Sequence, residues 1–378
     1  MAEQQIEQKS EQKLEEISQN MPSLKQEKEK TEEKPTEEKK LLDVLKMLSP
    51  GTAIRTALDD ILRAKMGALI VVEKEGLLNI VEGGFRINCR FTPQKLVELA
   101  KMDGAIILSE DLKKILYANT LLTPNIKITT KETGTRHKAA ERTAKQIGTI
   151  VIAISERKNK IILYFKDDNY FLEKTSEILR RAAETLQILE KQKDIFNDLF
   201  SHLNILEITN LTTMGDVCNV LQTLEIIRRI SENVKRYLIE LGKEGLIVSM
   251  RLKELTKNLN KEREAILRDY FGSKFFRMGE ALKNMNFDFL IETPNILRVL
   301  FGELHDNPIP PKGMRILSKT NLLKKDIKIL FKNFKTLDDI FNLDKQSLKP
   351  LFKNESFIDS LFNEIKNLKE KILMGKKI

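Results

Sequence analysis

GALIVV, residues 67–72, is a six-residue apolar run that is rich in β-branched side chains. A run of this kind is typical of a strand that is buried on both faces of a sheet. Four similar runs follow in the chain, at residues 105–108, 115–117, 149–154 and 161–165. Helical periodicity alternates with them, over residues 41–48 and 52–65, after Thr92-Pro93, and over 139–147. The alternation predicts an α/β domain with a central, mixed sheet over residues 41–168.

The chain changes character on both sides of this domain. Residues 1–40 hold 8 Lys and 11 Glu and no aromatic residue, so they predict a disordered charged tail. After Asp168 the strand pattern stops, and long helical stretches predict an elongated helical spine domain over residues 169–305. These stretches cover Tyr170–Ile208, Met214–Glu240 and Val248–Phe271. A Pro- and Gly-containing break then opens a small all-α module over 306–378, so the predicted fold class is α+β with several domains.

Charge and composition narrow the class of protein. The net charge is +10, and because the tail carries −3, the remaining residues carry +13. This excess favours polyanionic partners, although an A·T-rich genome produces the same bias toward lysine. The two cysteines, Cys89 and Cys218, lie far apart and argue against a zinc site or a disulfide framework. No run reaches eighteen apolar residues and the N-terminus is not apolar, so we expect a cytoplasmic protein without a membrane span.

The stretch Gly134-Thr135-Arg136-His137-Lys138 places three potentially cationic side chains where the next helix begins. The start of a helix already carries the positive end of the helix dipole, so acidic residues are its usual occupants. A phosphate held between the cations and the free backbone N–H groups would remove the conflict. The sequence therefore favours a phosphate site here, and the alternative is a solvated basic loop.

The stretch Met102-Asp103-Gly104-Ala105 lies where a helix gives way to a strand. An isolated aspartate at such a junction is often a turn or cap residue, but the two small residues behind Asp103 let a ribose or planar ligand approach the backbone. A hard cation such as Mg²⁺ bridges one or two carboxylates to substrate phosphates. Asp103 with the cationic helix start thus indicates nucleotidyl transfer, and the chain has neither a P-loop nor a GxGxxG motif.

Several motifs resemble the diadenylate cyclase domain. They are KMDGAI (101–106), YAN (117–119), GTRHKAAER (134–142), EGGF (82–85) and SER (155–157). The middle segments MGDV (214–217), RRI (228–230) and YLIELG (237–242) resemble the helical spine of the DNA integrity scanning protein family. The resemblance spans roughly residues 41–300.

This resemblance implies the condensation of two ATP molecules into cyclic di-AMP with release of two pyrophosphates, using Mg²⁺ or Mn²⁺. It implies that Asp103 holds the metal and helps to activate the ribose 3′-hydroxyl. Ribose and adenine would contact Gly104, Ala105 and Leu122, and the phosphates would contact Thr135, Arg136, His137, Lys138 and Ser155. Each ATP must offer its 3′-hydroxyl to the α-phosphate of the other, so two active faces must meet about a two-fold axis. The family's homo-octamer meets that requirement.

Two positions in the phosphate motif depart from the family pattern. Lys138 replaces an arginine, which keeps the charge and loses the planar fork that binds two phosphate oxygens. Ala139 replaces a common threonine and removes one hydroxyl donor. We expect activity at a reduced rate.

The C-terminal module departs further. It is expected to resemble a helix-hairpin-helix domain, whose hairpin glycines admit DNA phosphates, yet no glycine stands between Gly313 and Gly375. Lys353, Asn354 and Glu355 occupy the expected glycine positions. Phosphates would then be contacted through the charges of Lys324, Lys325, Lys328 and Lys332. Two alternatives to the enzyme remain open, a DNA-binding scaffold and an ATP-binding regulator with a degenerate cyclase pocket.

Overall fold

The computed structural model describes residues 42–375 apart from 304, 312, 321, 335 and 353. The predicted tail over residues 1–40 lies outside the described residues. The chain forms two compact units. One runs up to Ile178 and includes Ile239–Glu244, and the other comprises Leu179–Leu238 and the chain from Gly245 onward.

The first unit is built on one eight-stranded mixed sheet. Its strand order is β2-β5-β4-β1-β6-β7-β8, with β3 paired to β5. Only β1 and β4 run parallel among the pairs of this sheet, and the other neighbours are antiparallel. The strands are β1 Ala68–Val72, β2 Val81–Glu82, β3 Phe85–Arg90, β4 Ala105–Leu108, β5 Lys114–Leu122, β6 Ile150–Ser155, β7 Lys160–Phe165 and β8 Asp168–Leu172. The predicted mixed sheet is confirmed.

Helices cover both faces of this sheet, which explains why the central strands read as unbroken apolar runs. Residues 42–47 are helical, and three longer helices follow, α1 Ala53–Arg63, α2 Pro93–Leu99 and α3 Thr135–Ile147. The core on one face joins α1 and α2 to side chains such as Ile70 and Ile152. The core on the other face joins α3 to the alternating neighbours Val71 and Val151. Each face is thus buried by alternate residues of the same strands.

Local sequence signals explain where these helices begin and end. The hydroxyl of Thr52 accepts a hydrogen bond from the N–H of Arg55, and Thr92 caps α2 in the same way, with proline in the first turn. Gly148 ends α3 with φ 68°, a left-handed conformation that glycine adopts without a steric penalty.

Three strands of the sheet were not predicted. β2, β3 and β8 lack an apolar run because they lie toward the sheet margins, where one face or more is open to solvent. The expectation that strand structure stops after Asp168 is therefore wrong. β8 continues to Leu172, and the following helix begins at Thr175 rather than near Tyr170.

The second unit is helical in its described residues. Its helices are α4 Thr175–Thr209, which begins in the first unit, α5 Met214–Leu241, which reaches it again, α6 Leu246–Leu255, α7 Leu259–Phe271, α8 Phe275–Asn284, α9 Phe287–Ile291 and α10 Thr293–Phe301. The prediction of one continuous helix over Val248–Phe271 is wrong, because the region forms two helices. The break lies at Asn258, which adopts φ 64° between α6 and α7.

Five further helices form the C-terminal part of the second unit. They are α11 Met314–Leu317, α12 Lys324–Asn333, α13 Leu337–Phe341, α14 Lys345–Leu348 and α15 Glu355–Leu373. Their apolar faces share one core with Ile208 of α4. A fully buried ion pair between Arg315 and Glu207, 2.7 Å, also joins α11 to α4. None of the helices in the described residues is long and apolar enough to cross a membrane.

Candidate active site

Three chain segments meet at one edge of the sheet. The parallel register of β1 with β4 brings Asp103 to the level of Gly67, and the antiparallel register of β1 with β6 brings Ser155 to its other side. Ser155 ends β6 two residues after Ala153, so strand alternation puts it on the face of the sheet that α3 covers. We call this group, Gly67, Asp103 and Ser155, the site edge.

Asp103 reaches the site edge through a backbone that only glycine permits. Gly104 adopts φ 96°, and a Cβ there would lie 2.9 Å from the carbonyl oxygen of Thr120 and from the carbonyl carbon of Asn119 in β5. The hydroxyl of Thr120 donates to the carbonyl of Ala105 at 2.9 Å and ties β5 to β4 at this point. The side chain of Asp103 is exposed, and within the described residues it has no hydrogen-bond or ion-pair partner.

The first turn of α3 lies at the same edge and is open to an anion. Its N-cap is Gly134, which provides no capping side chain, and the first turn holds no acidic residue. The guanidinium of Arg136 lies over Gly67, where a Cβ would come within 2.1 Å of its Nη1 atom. Free N–H groups, a helix dipole and a cation therefore converge over Gly67, at the level that the register of β1 with β4 gives to Asp103.

His137 adds a second observation that points to a ligand. Its Nε2 atom is buried without a hydrogen-bond partner among the described residues. Burial lowers the pKa of His137, the charge of Glu132 opposes the shift, and the charges of Lys158 and Arg136 reinforce it. The imidazole is therefore neutral at pH 7 and can donate one hydrogen bond. A phosphate oxygen would supply the missing partner and the missing negative charge.

The remaining predicted contacts are distributed around this edge. Thr135 is exposed and Lys138 is half-buried in the first turn of α3. Ser155 is 8% exposed, and its hydroxyl accepts the N–H of Lys158 at 3.2 Å. Ala105 and Leu122 lie in the core beneath α3, so their contact with a nucleotide remains a prediction.

The buried Glu141 holds the loop in front of α3 in place. Its carboxylate accepts hydrogen bonds from the hydroxyl of Thr130, from the N–H of Lys131 at 3.3 Å and from Nζ of Lys145 at 2.7 Å. Burial alone would raise the pKa of Glu141, and the hydrogen bonds from Lys145 and Thr130 outweigh it, so that the pKa is lowered. The carboxylate thus stays ionised and anchors residues 130–131 to the helix that carries the cations.

Two more side chains of α3 hold the same loop. Arg142 Nε donates to the carbonyl of Ile128 at 3.0 Å, and the side chain of Gln146 accepts the N–H of Asn125 at 2.8 Å. Sequence patterns alone assigned no role to these residues, to Gly67 or to Glu141, because their partners lie in other segments of the chain. For Glu141, Arg142 and Gln146 the only signal was their position on α3, within or just after the motif GTRHKAAER.

A metal ion fits this edge as a bridge to a substrate. The described residues contain no group of three or more His, Cys, Asp or Glu side chains that could hold a metal alone. A single exposed carboxylate beside a phosphate cradle suits Mg²⁺ or Mn²⁺, which takes its remaining ligands from phosphate oxygens and water. Asp103 would hold the ion, and the ion would supply charge neutralisation and acidify a hydroxyl.

Two of the expected glycine positions of the C-terminal module lie at the start of α15. Asn354 caps α15, and its side chain accepts the N–H of Ser356 at 3.1 Å. Glu355 adds an exposed carboxylate to the first turn. Lys325, Lys328 and Lys332 instead share the exposed side of α12. Lys353 and the side chain of Lys324 lie outside the described part of the structure.

The sheet domain with its anion cradle, followed by long helices, corresponds to two family models. "DisA bacterial checkpoint controller nucleotide-binding" matches residues 55–169, and "DisA bacterial checkpoint controller linker region" matches residues 172–303. The chain is a diadenylate cyclase, an enzyme of the nucleotidyltransferase class, and such enzymes depend on a divalent metal.

Curated relatives extend the match to most of the chain. The DNA integrity scanning protein DisA of Clostridioides difficile is 43% identical over 312 residues, 80% of this chain and 88% of the relative. The same protein of Clostridium botulinum (strain Eklund 17B) is 41% identical over 347 residues, 90% of this chain and 98% of the relative. The chain belongs to the DNA integrity scanning protein DisA family.

Among solved structures, a DacA double mutant from Staphylococcus aureus is 26% identical and superposes with a TM-score of 0.28, covering 39% of this chain and 97% of that one. A hypothetical membrane spanning protein from Bacillus cereus is 27% identical with a TM-score of 0.30, covering 32% of this chain and 62% of that one.

Proposed function

We propose that this enzyme joins two ATP molecules into cyclic di-AMP. In each half-reaction the 3′-oxygen of one ribose forms a bond to the α-phosphorus of the other ATP. The bond from that phosphorus to the bridging oxygen breaks, pyrophosphate leaves, and the hydroxyl proton passes to solvent. The observation that carries the proposal is the uncapped, cationic start of α3 beside the exposed carboxylate of Asp103.

The residues of the site edge and of the first turn of α3 have separate roles in this proposal. The first-turn N–H groups of α3, with Thr135, Arg136 and Lys138, bind the phosphate chain and offset the charge of departing pyrophosphate. Neutral His137 donates from Nε2 to a phosphate oxygen, and the hydroxyl of Ser155 borders the same space. Because Gly104 has no Cβ, the ribose can approach the backbone closely and reach Asp103, which would hold the divalent ion.

The site needs a second subunit, because one site edge presents only one carboxylate and one phosphate cradle. Cyclisation requires two nucleotides in opposite orientation, so two site edges must face each other about a two-fold axis. Large apolar side chains lie exposed near Asp103 and along the neighbouring strands, with exposed fractions of 48% for Met102, 59% for Phe85 and 60% for Leu121. Such a patch is typical of a protein interface. We propose a homo-oligomer, with the family's octamer as the assembly.

Incubation of the purified chain with ATP and either Mg²⁺ or Mn²⁺, followed by chromatography, tests this function. We expect one cyclic di-AMP and two pyrophosphates for every two ATP consumed. Bound ATP without pyrophosphate release would favour the ATP-binding regulator. Loss of both ATP binding and turnover would favour the DNA-binding scaffold.

We also propose that the C-terminal module contacts DNA through α12. Lys325, Lys328 and Lys332 recur on its exposed side, while Asn354 caps α15 at an expected glycine position. Residues 306–378 carry 16 basic and 9 acidic side chains. Contacts of this kind neutralise phosphates without reading sequence. We propose that DNA bound in this way regulates the cyclase.

The simultaneous substitution of Lys325, Lys328 and Lys332 by glutamine should weaken DNA binding. It should also make the binding constant less dependent on the salt concentration. Each phosphate contact contributes about 0.9 to the slope of log K against log salt, so the slope should fall by about 2 to 3. The slope is measured by fluorescence anisotropy with branched DNA across a series of salt concentrations. As a control, glutamine replaces Lys366 and Lys371, two lysines that are exposed on α15 of the same module, and the slope should stay close to that of the parent chain. An unchanged slope in the triple variant would disprove the assignment to α12.

A further inference from the structure

A cavity of about 800 Å³ opens in the first unit at the same end of β1 and β6 as the site edge, but on the face of the sheet that α1 covers. Three separate segments line it: the end of α1, the turn between β6 and β7, and the start of α4. Its lining residues are Asp59, Leu62, Arg63, Lys65, Glu156, Arg157, Asn159, Lys174, Thr175 and Ser176. A volume of this size is in the range of small-molecule binding sites.

Positive charge dominates the lining. Four cationic side chains, Arg63, Lys65, Arg157 and Lys174, face two carboxylates. One of these carboxylates, Asp59, is already engaged, because the buried Arg55 donates to both of its oxygens at 3.1 Å. Arg63 has an exposed ion pair with Asp60 at 3.1 Å. Lys65, Arg157 and Lys174 have no ion-pair partner within the described residues.

The backbone adds to this cationic character. α4 starts at the rim, after Lys174, and its first turn presents the N–H groups of Thr175 and Ser176. Within the described residues these two groups have no acceptor. Lys65 adopts φ 53°, a left-handed conformation that usually selects glycine or asparagine. Lys65 therefore places a positive charge at the rim of the cavity, at a position where the backbone conformation alone would favour an uncharged residue.

The cavity is connected to the site edge by a single turn. Ser155 faces the α3 side of the sheet, and the chain then passes through Glu156 and Arg157 on the cavity side. It returns at Lys158, whose N–H donates to the hydroxyl of Ser155 at 3.2 Å. An anion that draws Arg157 toward the cavity would therefore shift Lys158, whose charge acts on His137.

We infer that this cavity is a second anion site, which binds a diphosphate or longer phosphate chain, either free or attached to a nucleoside. The three unpaired cations and the two free N–H groups match the charge density of such a chain better than that of a single carboxylate. The site is separate from the site edge, and its occupancy modulates the enzyme through the turn at residues 156–159. The binding claim stands without the proposed function, and the modulation claim rests on it.

Hydrogen–deuterium exchange of the full chain, with inorganic pyrophosphate or with ATP as the probe and without divalent metal, tests the binding claim. We expect slower exchange in peptides covering residues 156–159 and 174–178. The variant Lys65→Asn with Lys174→Gln should need at least tenfold more probe for half-maximal protection. Asparagine keeps the left-handed backbone at position 65 accessible. The control Lys113→Gln with Lys114→Gln removes two charges at the far end of β4 and β5, and its protection should match the parent chain.

The outcomes separate this site from the catalytic proposal. Protection by pyrophosphate indicates a free anion as ligand, and protection by ATP alone indicates a nucleotide. Absence of protection by both probes, or equal protection in the Lys65/Lys174 variant, overturns the second site. A chain that forms no cyclic di-AMP but shows the protection refutes the proposed function and keeps the site. For the modulation claim, we expect pyrophosphate inhibition of turnover to weaken in the Lys65/Lys174 variant, and unchanged inhibition overturns it.

Discussion

Replacing Asp103 with asparagine should lower cyclic di-AMP formation about 10²- to 10³-fold, the usual effect of removing one preorganised electrostatic group from an active site. Asparagine keeps the size and shape of the side chain and removes the negative charge that would hold the divalent ion. Asp103 is exposed and has no partner within the described residues, so the free energy of unfolding should change by less than about 0.5 kcal/mol. Product chromatography and thermal unfolding measure the two effects.

Two comparisons make the Asp103 result specific. Glu110 is another exposed carboxylate of the same domain, and it too has no partner within the described residues. Its substitution by glutamine should leave turnover unchanged. ATP binding measured without metal should be retained in Asp103→Asn, because the phosphates are bound by α3. Full turnover in Asp103→Asn would refute the metal-binding role.

The central sheet could be predicted from the sequence because its inner strands are buried on both faces. β1, β4, β6 and β7 each show an unbroken apolar run, and the structure confirms all four. A marginal strand such as β3, with the sequence FRINCR, alternates exposed and half-buried side chains and has no such run. Its strand conformation depends on pairing with β5, which no local pattern reveals.

The same distinction between local patterns and tertiary contacts applies to the candidate site. The carboxylate of Asp103 and the cations of α3 are local motifs, so the sequence shows them directly. Their proximity depends on the register of β1 with β4 and on the contact of Arg136 with Gly67, which lies about seventy positions earlier in the chain. The loop contacts of Glu141 are also tertiary, and a buried glutamate in a basic helix reads from the sequence as an ordinary surface residue.

Gly67 shows how a tertiary contact can be tested without touching a reacting group. Its backbone conformation lies outside the left-handed region, so alanine is allowed there and should leave the free energy of unfolding unchanged or raise it by about 0.4–1 kcal/mol. The added Cβ would lie 2.1 Å from Nη1 of Arg136, so the guanidinium must move away. A displacement of about 1 Å in a positioning group costs about 10²-fold in rate, so we expect Gly67→Ala to lower kcat by about 10- to 100-fold.

A double-mutant cycle with Arg136→Ala decides whether the loss at position 67 acts through this one contact. If it does, Gly67→Ala should have almost no further effect once the guanidinium is gone, and the coupling energy should equal nearly the whole effect of the alanine. Steady-state kinetics of the parent chain, the two single variants and the double variant provide the four rates. Additive losses would show that the added methyl group acts elsewhere, on the backbone of the site edge or on the facing subunit, and the position assigned to Arg136 over the phosphate cradle would then be wrong.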